Sequence, residues 1–222
     1  MHSILEKFNI TKNKISDIIK KKQLKTNPNI IVVTKTFSLD NIFPLLKDGH
    51  IHFGENKIQE AESKWPEVRK QYKNVQLHMI GKLQSNKVKK AVKLFDYIHS
   101  LDSERLALKI FDAQKDFNKN VKLFIQVNLA GDEKKSGISL NELSSFYNYC
   151  TKELLLNVIG LMCLPPANSD TKKYFKILKE ASTQLNLNEL SMGMSSDFEE
   201  AVLNGSTFLR LGTIILGERK SI

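Results

Sequence analysis

The chain has 222 residues and a hydrophobic content of 41%, which is enough for a sizeable core in one large domain or two small ones. No run of the sequence reaches the roughly eighteen apolar residues that a membrane-spanning helix needs, and the N-terminus lacks the pattern of a signal peptide. The two cysteines, Cys150 and Cys163, have no metal-ligand spacing, so a reducing cytoplasm is the expected location.

The net charge of +10 would usually suggest nucleic-acid binding. However, the 34 basic residues include only four arginines, and the lysines are spread along the whole chain. Because base and phosphate recognition favours the arginine fork, we do not expect a nucleic acid as a partner. The lack of a long apolar run gives the same expectation for a membrane. Lys134 and Lys135 lie in a charged loop, GDEKKSG, and would touch a phosphate only if that loop folded inward.

Short β-rich runs alternate with helical patterns throughout the chain, which is typical of βα units around a parallel sheet. The predicted strands cover residues 30–35, 50–54, 76–81, 97–101, 122–128, 157–163, 189–193 and 208–212. The predicted helices cover residues 3–24, 39–48, 56–72, 85–94, 103–118, 140–153, 171–186 and 197–204. Eight such units after an extra N-terminal helix predict an α/β fold, a single (β/α)8 barrel of the TIM type over residues 1–222. A doubly wound open sheet is the alternative.

Lys35 follows the apolar run IIVVT and is predicted to end the first strand. The active sites of such barrels lie at the C-terminal ends of the strands, where Asn56 is also predicted to lie, just after the second strand. Burial disfavours the charged form of a lysine, and a neutral amine attacks aldehydes to form a Schiff base. The alternative is that the Lys35 side chain simply extends from the strand end to water.

Two segments near the C-terminus predict a phosphate site. SMGMSSD places Ser195 between the seventh strand and the next helix, and RLGT places Gly212 and Thr213 at the end of the eighth strand. Barrels often bind phosphate between the loops that follow these two strands, through backbone amides and hydroxyl groups. The alternative is that Ser196 and Glu199 form a capping box and have no ligand.

Arg210 is the one arginine in an otherwise apolar predicted strand. A buried arginine needs a partner, and a structural pair with Glu55 or Asp197 is one interpretation. The functional interpretation places the guanidinium group against the ring nitrogen of a cofactor. A permanent cation there keeps a pyridine nitrogen unprotonated and weakens the cofactor as an electron sink.

Four histidines, His50, His52, His78 and His99, fall on or near the second to fourth predicted strands. His50 and His52 are separated by one residue, which predicts that they share one face of a strand. Because no cysteine or carboxylate cluster completes a metal site, we expect packing or hydrogen-bonding roles for all four.

The motifs VVTKT, HFGEN, HMIGKLQSNK, NLAGDEKKSGIS, GLMCLPP, LSMGMSSD and FLRLGTIILGER occur in this order along nearly the whole chain. Together they resemble the pyridoxal phosphate homeostasis protein family. The resemblance implies a barrel related to the N-terminal domain of alanine racemase, with pyridoxal 5′-phosphate (PLP) held as an internal aldimine. The departures are mild: GKLQ replaces the apolar or histidine variants of that loop, and Cys163 lies where a small residue is common.

The cofactor-binding residues that the resemblance implies are Lys35, Asn56, Met194, Ser195, Arg210, Gly212 and Thr213. In this assignment Lys35 carries the Schiff base, Asn56 lies near the ring and Arg210 faces the pyridine nitrogen. The other four residues hold the phosphate, Met194 through its backbone.

The resemblance implies a non-catalytic carrier and regulator of free PLP, with apo PLP-dependent enzymes as partners; we expect a monomer. A racemase needs a second acid or base on the opposite face of its substrate, and in alanine racemase a further domain and a partner subunit supply it. The sequence ends at Ile222, soon after the eighth strand, so we expect no such domain. The alternatives are a PLP-dependent amino-acid racemase or lyase whose second base is a Tyr or Lys on a loop, and a cofactor-free aldolase, which the phosphate motifs disfavour.

Overall fold

The strands of the protein form a closed parallel barrel. The computed structural model describes residues 3–131, 136–166 and 168–218, so Lys134 and Lys135 lie outside the described residues. Within the described part of the chain the strands are β1 (Asn29–Val33), β2 (His52–Glu55), β3 (Gln76–Met79), β4 (Tyr97–Leu101), β5 (Lys122–Gln126), β6 (Val158–Met162), β7 (Glu189–Ser191) and β8 (Phe208–Leu211). Each strand pairs with the next in sequence, and β8 closes the barrel by pairing in parallel with β1.

Helices surround the barrel on its outer side. They are α1 (Ile4–Lys22), α2 (Leu39–Lys47), α3 (Ile58–Gln71), α4 (Val88–Leu94), α5 (Glu104–Phe117), α6 (Leu143–Asn148), α7 (Thr171–Gln184), α8 (Phe198–Leu203) and α9 (Thr213–Leu216). A 3-10 turn, Ser85–Lys87, precedes α4, and a π-helical turn, Tyr149–Glu153, follows α6. None of the described helices is both long enough and apolar enough to cross a bilayer.

The extra helix α1 begins at a capping box. The Ser3 hydroxyl accepts the Glu6 amide and the Glu6 carboxylate accepts the Ser3 amide, which satisfies two N–H groups of the first turn. Lysines fill the last turn, where positive charge complements the helix dipole. This helix packs against α8, α9 and α2, so it covers the barrel where the two ends of the strand sequence meet.

The described residues form two hydrophobic clusters in the core. The larger cluster lies between the strands and the helices and contains Trp65 and Phe175, which are fully buried. The smaller cluster consists of Ile31, Tyr97, Phe124, Met162 and Phe208. These residues come from five different strands, as expected for side chains that point inward and fill a barrel of this type.

The prediction of a (β/α)8 barrel with an extra N-terminal helix is confirmed, and the open doubly wound sheet is wrong because β8 pairs with β1. Several predicted strands run one or two residues too far. The first ends at Val33 and the eighth at Leu211, because the chain turns into the rim loops after these residues. Lys35 therefore lies in a turn beyond β1 and not at the end of the strand itself.

Candidate functional site

A cleft of about 440 Å³ opens at the C-terminal ends of the strands. Its lining residues are Val33, Lys35, Asn56, Ile80, Leu164, Met194, Ser195, Ser196, Arg210, Gly212 and Thr213. All seven site residues that the sequence predicted are in this set. The cleft has the size of an ordinary small-molecule site, and its seven predicted residues come from the segments after β1, β2, β7 and β8 and from β8 itself.

Lys35 lies in a tight turn that neighbouring residues hold in place. Thr36, the next residue, has a φ of 68°, a left-handed conformation that is uncommon for a residue other than glycine. The Thr36 amide donates to Glu60 Oε1 over 2.5 Å, and the Thr34 hydroxyl donates to Glu55 Oε1 over 2.6 Å. The turn is thus fixed on both sides of the half-buried Lys35 side chain.

A buried ion-pair network lies beneath this turn. The Lys64 ammonium group donates to Glu55 Oε1 over 2.9 Å, to Glu60 Oε1 over 3.0 Å and to the Thr34 carbonyl over 2.9 Å. The indole of Trp65 donates to the same Glu55 oxygen over 3.0 Å. Glu55 is fully buried, and the Thr34 hydroxyl, the Lys64 ammonium group and the Trp65 indole all donate to its Oε1, which offsets part of the desolvation of the carboxylate. Its Oε2 is buried without a hydrogen-bond partner among the described residues. Lys64 could not be recognised from the sequence except by its position beside Trp65 on the buried face of α3.

Arg210 crosses from β8 into the floor of the cleft. Its Nη1 group donates to Ser191 Oγ over 2.7 Å and its Nη2 group donates to the Cys163 carbonyl over 2.9 Å. Burial lowers the pKa of the guanidinium group from its usual value. Neither Glu55 nor Asp197 bonds to it, so the proposed structural pairs are wrong. Both acceptors of this buried cation among the described residues are neutral.

The segments after β7 and β8 meet at one corner of the cleft. The Ser195 hydroxyl oxygen accepts the amides of Gly212 and Ile214, each over 3.3 Å, at the start of α9. Gly193 has a φ of 93°, and a Cβ there would come within 2.5 Å of the Ala201 side chain. Glycine is therefore required for the sharp turn that carries Ser195 to this corner.

Two details of this corner differ from the sequence analysis. The Met194 amide donates to Asp197 Oδ1 over 2.6 Å, so the backbone group assigned to phosphate already has an acceptor. The capping box of Ser196 and Glu199 is wrong, because Asp197 is the N-cap of α8 and no side chain caps it. Ser196 lines the cleft instead.

Asn56 approaches the cleft from the turn after β2. A Cβ at Gly81 would overlap the Asn56 backbone, so the absence of a side chain at Gly81 lets the loops after β2 and β3 pack closely. Val33, Ile80 and Leu164 supply apolar walls around the polar groups. The sequence does not distinguish these three residues from core residues, because apolar side chains at strand ends are also expected in the core.

The histidines have hydrogen-bonding and packing roles. His52 bonds to His78 and His78 to His99. His50 Nε2 donates to the His52 carbonyl over 2.8 Å, and its ring packs edge-on against Phe8 and Phe53. The predicted common face of His50 and His52 is wrong because β2 begins at His52, so strand alternation does not extend back to His50. Over residues 3–131, 136–166 and 168–218, no group of three or more His, Cys, Asp or Glu residues is arranged to hold a metal ion.

The sequence matches the family model described as alanine racemase, N-terminal domain, over residues 14–220. It is 38% identical to the pyridoxal phosphate homeostasis protein of Synechocystis sp. over 88% of this chain and 94% of that protein. The protein of the same name from Escherichia coli K12 is 31% identical over 86% of this chain and 85% of its own length.

Solved structures agree with these sequence matches. PipY of Synechococcus elongatus PCC7942, solved with PLP bound, is 33% identical and superposes with a TM-score of 0.79 over 91% of this chain and 100% of PipY. Alanine racemase of Clostridium difficile 630 is 15% identical, with a TM-score of 0.70 over 94% of this chain and 56% of the racemase, which shows a common fold. The chain therefore belongs to the pyridoxal phosphate homeostasis protein family, within the wider group of alanine racemase N-terminal domains.

Proposed function

We propose that this protein binds PLP in the cleft, linked covalently to Lys35, and takes part in the intracellular homeostasis of PLP without catalysing its own reaction. The single observation that carries the proposal is the convergence of Lys35, Arg210 and the Ser195 corner on one cleft. PipY binds PLP in its solved structure, and this supports PLP as the cofactor of the present protein, which is a relative of PipY.

The residues fit the cofactor on grounds of charge and space. Arg210 is a buried cation whose acceptors are neutral, so an electron-rich ring nitrogen would complete its hydrogen bonding. A Cβ at Gly212 would come no closer than 3.5 Å to Val33, so no other atom of the described residues fills the space beside this glycine. An anionic phosphate would use such room, together with the hydroxyls of Ser195 and Thr213.

Each residue has a distinct role in the proposal. When bound, PLP supplies an aldehyde that condenses with an amine and releases water, and the Lys35 amine is the group placed to form that bond. Thr34 and Thr36 hold the Lys35 turn in place, and Arg210 keeps the ring nitrogen in its role of acceptor. Ser195 hydrogen-bonds the phosphate and Asn56 contacts the ring.

The cleft offers little for catalysis on amino acids. Of the described residues that line it, only Lys35 and Arg210 are titratable, and an arginine does not exchange protons near neutral pH. A racemase needs a second acid or base, and a strong electron sink needs a protonated ring nitrogen. A carrier that binds PLP reversibly needs neither group.

The competing function is a PLP-dependent racemase or lyase, and incubation with each common amino acid tests it. We expect no substantial racemisation, transamination or decarboxylation by chiral chromatography after long incubation. A Lys35-dependent turnover of about 1 s⁻¹ or faster, in the range of ordinary enzymes, would show that the protein is a PLP-dependent enzyme and that the carrier function is wrong.

Equilibrium titration with PLP tests binding at the cleft. We expect wild type and Lys82→Ala to develop the same visible absorption band, because Lys82 is an exposed rim lysine that does not line the cleft. Lys35→Ala should develop no such band and should keep its fold by circular dichroism. An unchanged band in Lys35→Ala would contradict the assignment.

Transfer to other proteins is the remaining part of the proposal. A carrier should release PLP to an apo PLP-dependent enzyme, which regains activity at a rate set by dissociation from this protein. The monomeric state, the single-domain organisation and a cytoplasmic location stay predictions; the two cysteines are both free, as a reducing compartment requires.

A further inference from the structure

A line of hydrogen-bonded side chains runs through the barrel interior to Arg210. His52 Nδ1 lies 3.0 Å from His78 Nε2, and His78 Nδ1 lies 2.9 Å from His99 Nε2. His99 Nδ1 lies 2.8 Å from Ser191 Oγ, which accepts Arg210 Nη1 over 2.7 Å. This line of side chains thus links five strands, β2, β3, β4, β7 and β8, and its last member, Arg210, lines the candidate cofactor cleft.

Along this line of side chains, only one direction of hydrogen-bond donation satisfies every buried group. Ser191 Oγ is fully buried, and its partners among the described residues are Arg210, which can only donate, and His99. The Ser191 hydrogen must therefore go to His99 Nδ1, because otherwise a buried donor would lack an acceptor. His99 then carries its hydrogen on Nε2 and donates to His78 Nδ1. By the same reasoning His78 donates from Nε2 to His52 Nδ1.

Packing and burial keep these rings neutral and fixed. His78 stacks on Tyr97 at 4.2 Å and His99 stacks on Phe124 at 4.3 Å between ring centroids. Burial lowers the pKa of His78 and of His99 well below the usual 6.5, and Arg210 beside His99 lowers it further. A neutral His99 leaves the Ser191 oxygen lone pairs available to the guanidinium group.

We propose that Ser191 and His99 are positioning residues for the cofactor ring: their hydrogen-bond direction aims a Ser191 lone pair at Arg210 and fixes the guanidinium group against the ring nitrogen. His78 and His52 extend the chain and lock the tautomer of His99. The inference rests on the proposed binding of PLP in the cleft. The second anchor, the Cys163 carbonyl, fixes Nη2, so the plane of the guanidinium group is set from two sides.

The direction of these hydrogen bonds can be tested without cofactor. Long-range ¹H–¹⁵N correlation spectra of the full-length protein, labelled with ¹⁵N-histidine, distinguish the two neutral tautomers from the charged ring. At about pH 7 we expect His78 and His99 as neutral Nε2–H tautomers. An Nδ1–H tautomer or a charged ring at His99 would overturn the proposed direction.

Ser191→Ala tests the effect on the cofactor, and Ser206→Ala is the matched control. Ser206 is also fully buried, but its hydroxyl bonds backbone carbonyls of the β7 and β8 segments and not this chain. We expect Ser191→Ala to change the His99 tautomer signals and the visible spectrum of bound PLP, and to weaken PLP retention about threefold to tenfold. Ser206→Ala should leave all three unchanged, and Ser191→Thr, which keeps the hydroxyl, should restore the wild-type spectrum.

The outcomes separate this inference from the proposed function. If wild type develops no PLP band at all, the proposed function fails and the positioning role fails with it. If the band forms and Ser191→Ala leaves it identical to that of wild type, PLP binding stands and only the positioning role is wrong.

Discussion

At the scale of single residues, the phosphate corner makes the sharpest prediction about affinity. Ser195→Ala and Thr213→Ala should each weaken PLP retention, because each removes one hydrogen bond to a charged group, worth roughly 1.5–3 kcal/mol. Both variants should still form the covalent link, since Lys35 is unchanged. Equilibrium titration with PLP measures the effect.

Ser196→Ala is the control for this pair. Ser196 lines the same cleft one position further along the chain, but the α9 amides bond to Ser195. We expect its affinity to stay near that of wild type. Wild-type affinity in a Ser195→Ala/Thr213→Ala double variant would show that the phosphate binds elsewhere.

Only some residues of the site can be recognised from the sequence. Lys35 and Asn56 stand out as polar residues just after apolar strands, and Arg210 stands out as a cation within one, because such positions have few structural reasons to be polar. Ser191 and Lys64 do not stand out, because a serine in a short strand and a lysine in an amphipathic helix are common. Ser191 depends on His99 and Arg210, and Lys64 on the Thr34 carbonyl, partners that are distant in sequence and meet only when the barrel folds.

At the scale of elements, the network between α3 and the turn after β1 predicts a coupling of stability and binding. Lys64→Met leaves the Glu55 carboxylate buried without its counter-charge, which should cost about 3–5 kcal/mol in the free energy of unfolding. The same change removes the bond to the Thr34 carbonyl, so the Lys35 turn loosens and PLP retention falls. Urea unfolding and PLP titration measure the two effects.

Lys70→Met is the control on the same helix. Lys70 pairs with Glu67 at the surface, where the two side chains are 72% and 77% exposed, so its loss should cost less than about 1 kcal/mol. Equal losses of stability in the two variants would mean that burial of the Lys64–Glu55 pair is not what makes it important.

The bounds of helices follow from the sequence where the hydrophobic periodicity is strong, and less well where local turns determine the backbone. The long helices α5 and α7 agree with the sequence to within two residues, because each has a side-chain cap and a continuous apolar face. The four-residue α9 was missed, since it is too short to show periodicity. The helix predicted over 140–153 was only partly right, because its second half winds as a π-helix.

At the scale of the whole molecule, the buried histidines predict a loss of stability in acid. Burial lowers the pKa of His50 and of His52 to about 4, and it lowers the pKa of His78 and of His99 well below 6.5. Below about pH 6.5 these histidines bind protons in the unfolded chain but stay neutral in the folded protein. The free energy of unfolding therefore falls as pH decreases, by up to about 1.4 kcal/mol per pH unit for each histidine.

Urea unfolding at a series of pH values between about 7 and 4.5 measures this dependence. We expect the midpoint to decrease steadily below about pH 6.5. A midpoint that is constant or rises over this range would mean that the barrel interior accepts protonated histidines.

The central claim for the molecule is that one lysine of the barrel rim binds PLP covalently. Borohydride reduction of the PLP-loaded protein, followed by proteolysis and mass spectrometry, tests it most directly, because reduction makes the link between amine and cofactor permanent. We expect a single modified peptide that contains Lys35, and no modified peptide from Lys35→Ala. An adduct confined to another lysine, in a protein that keeps its PLP band, would show that Lys35 is not the residue that binds PLP.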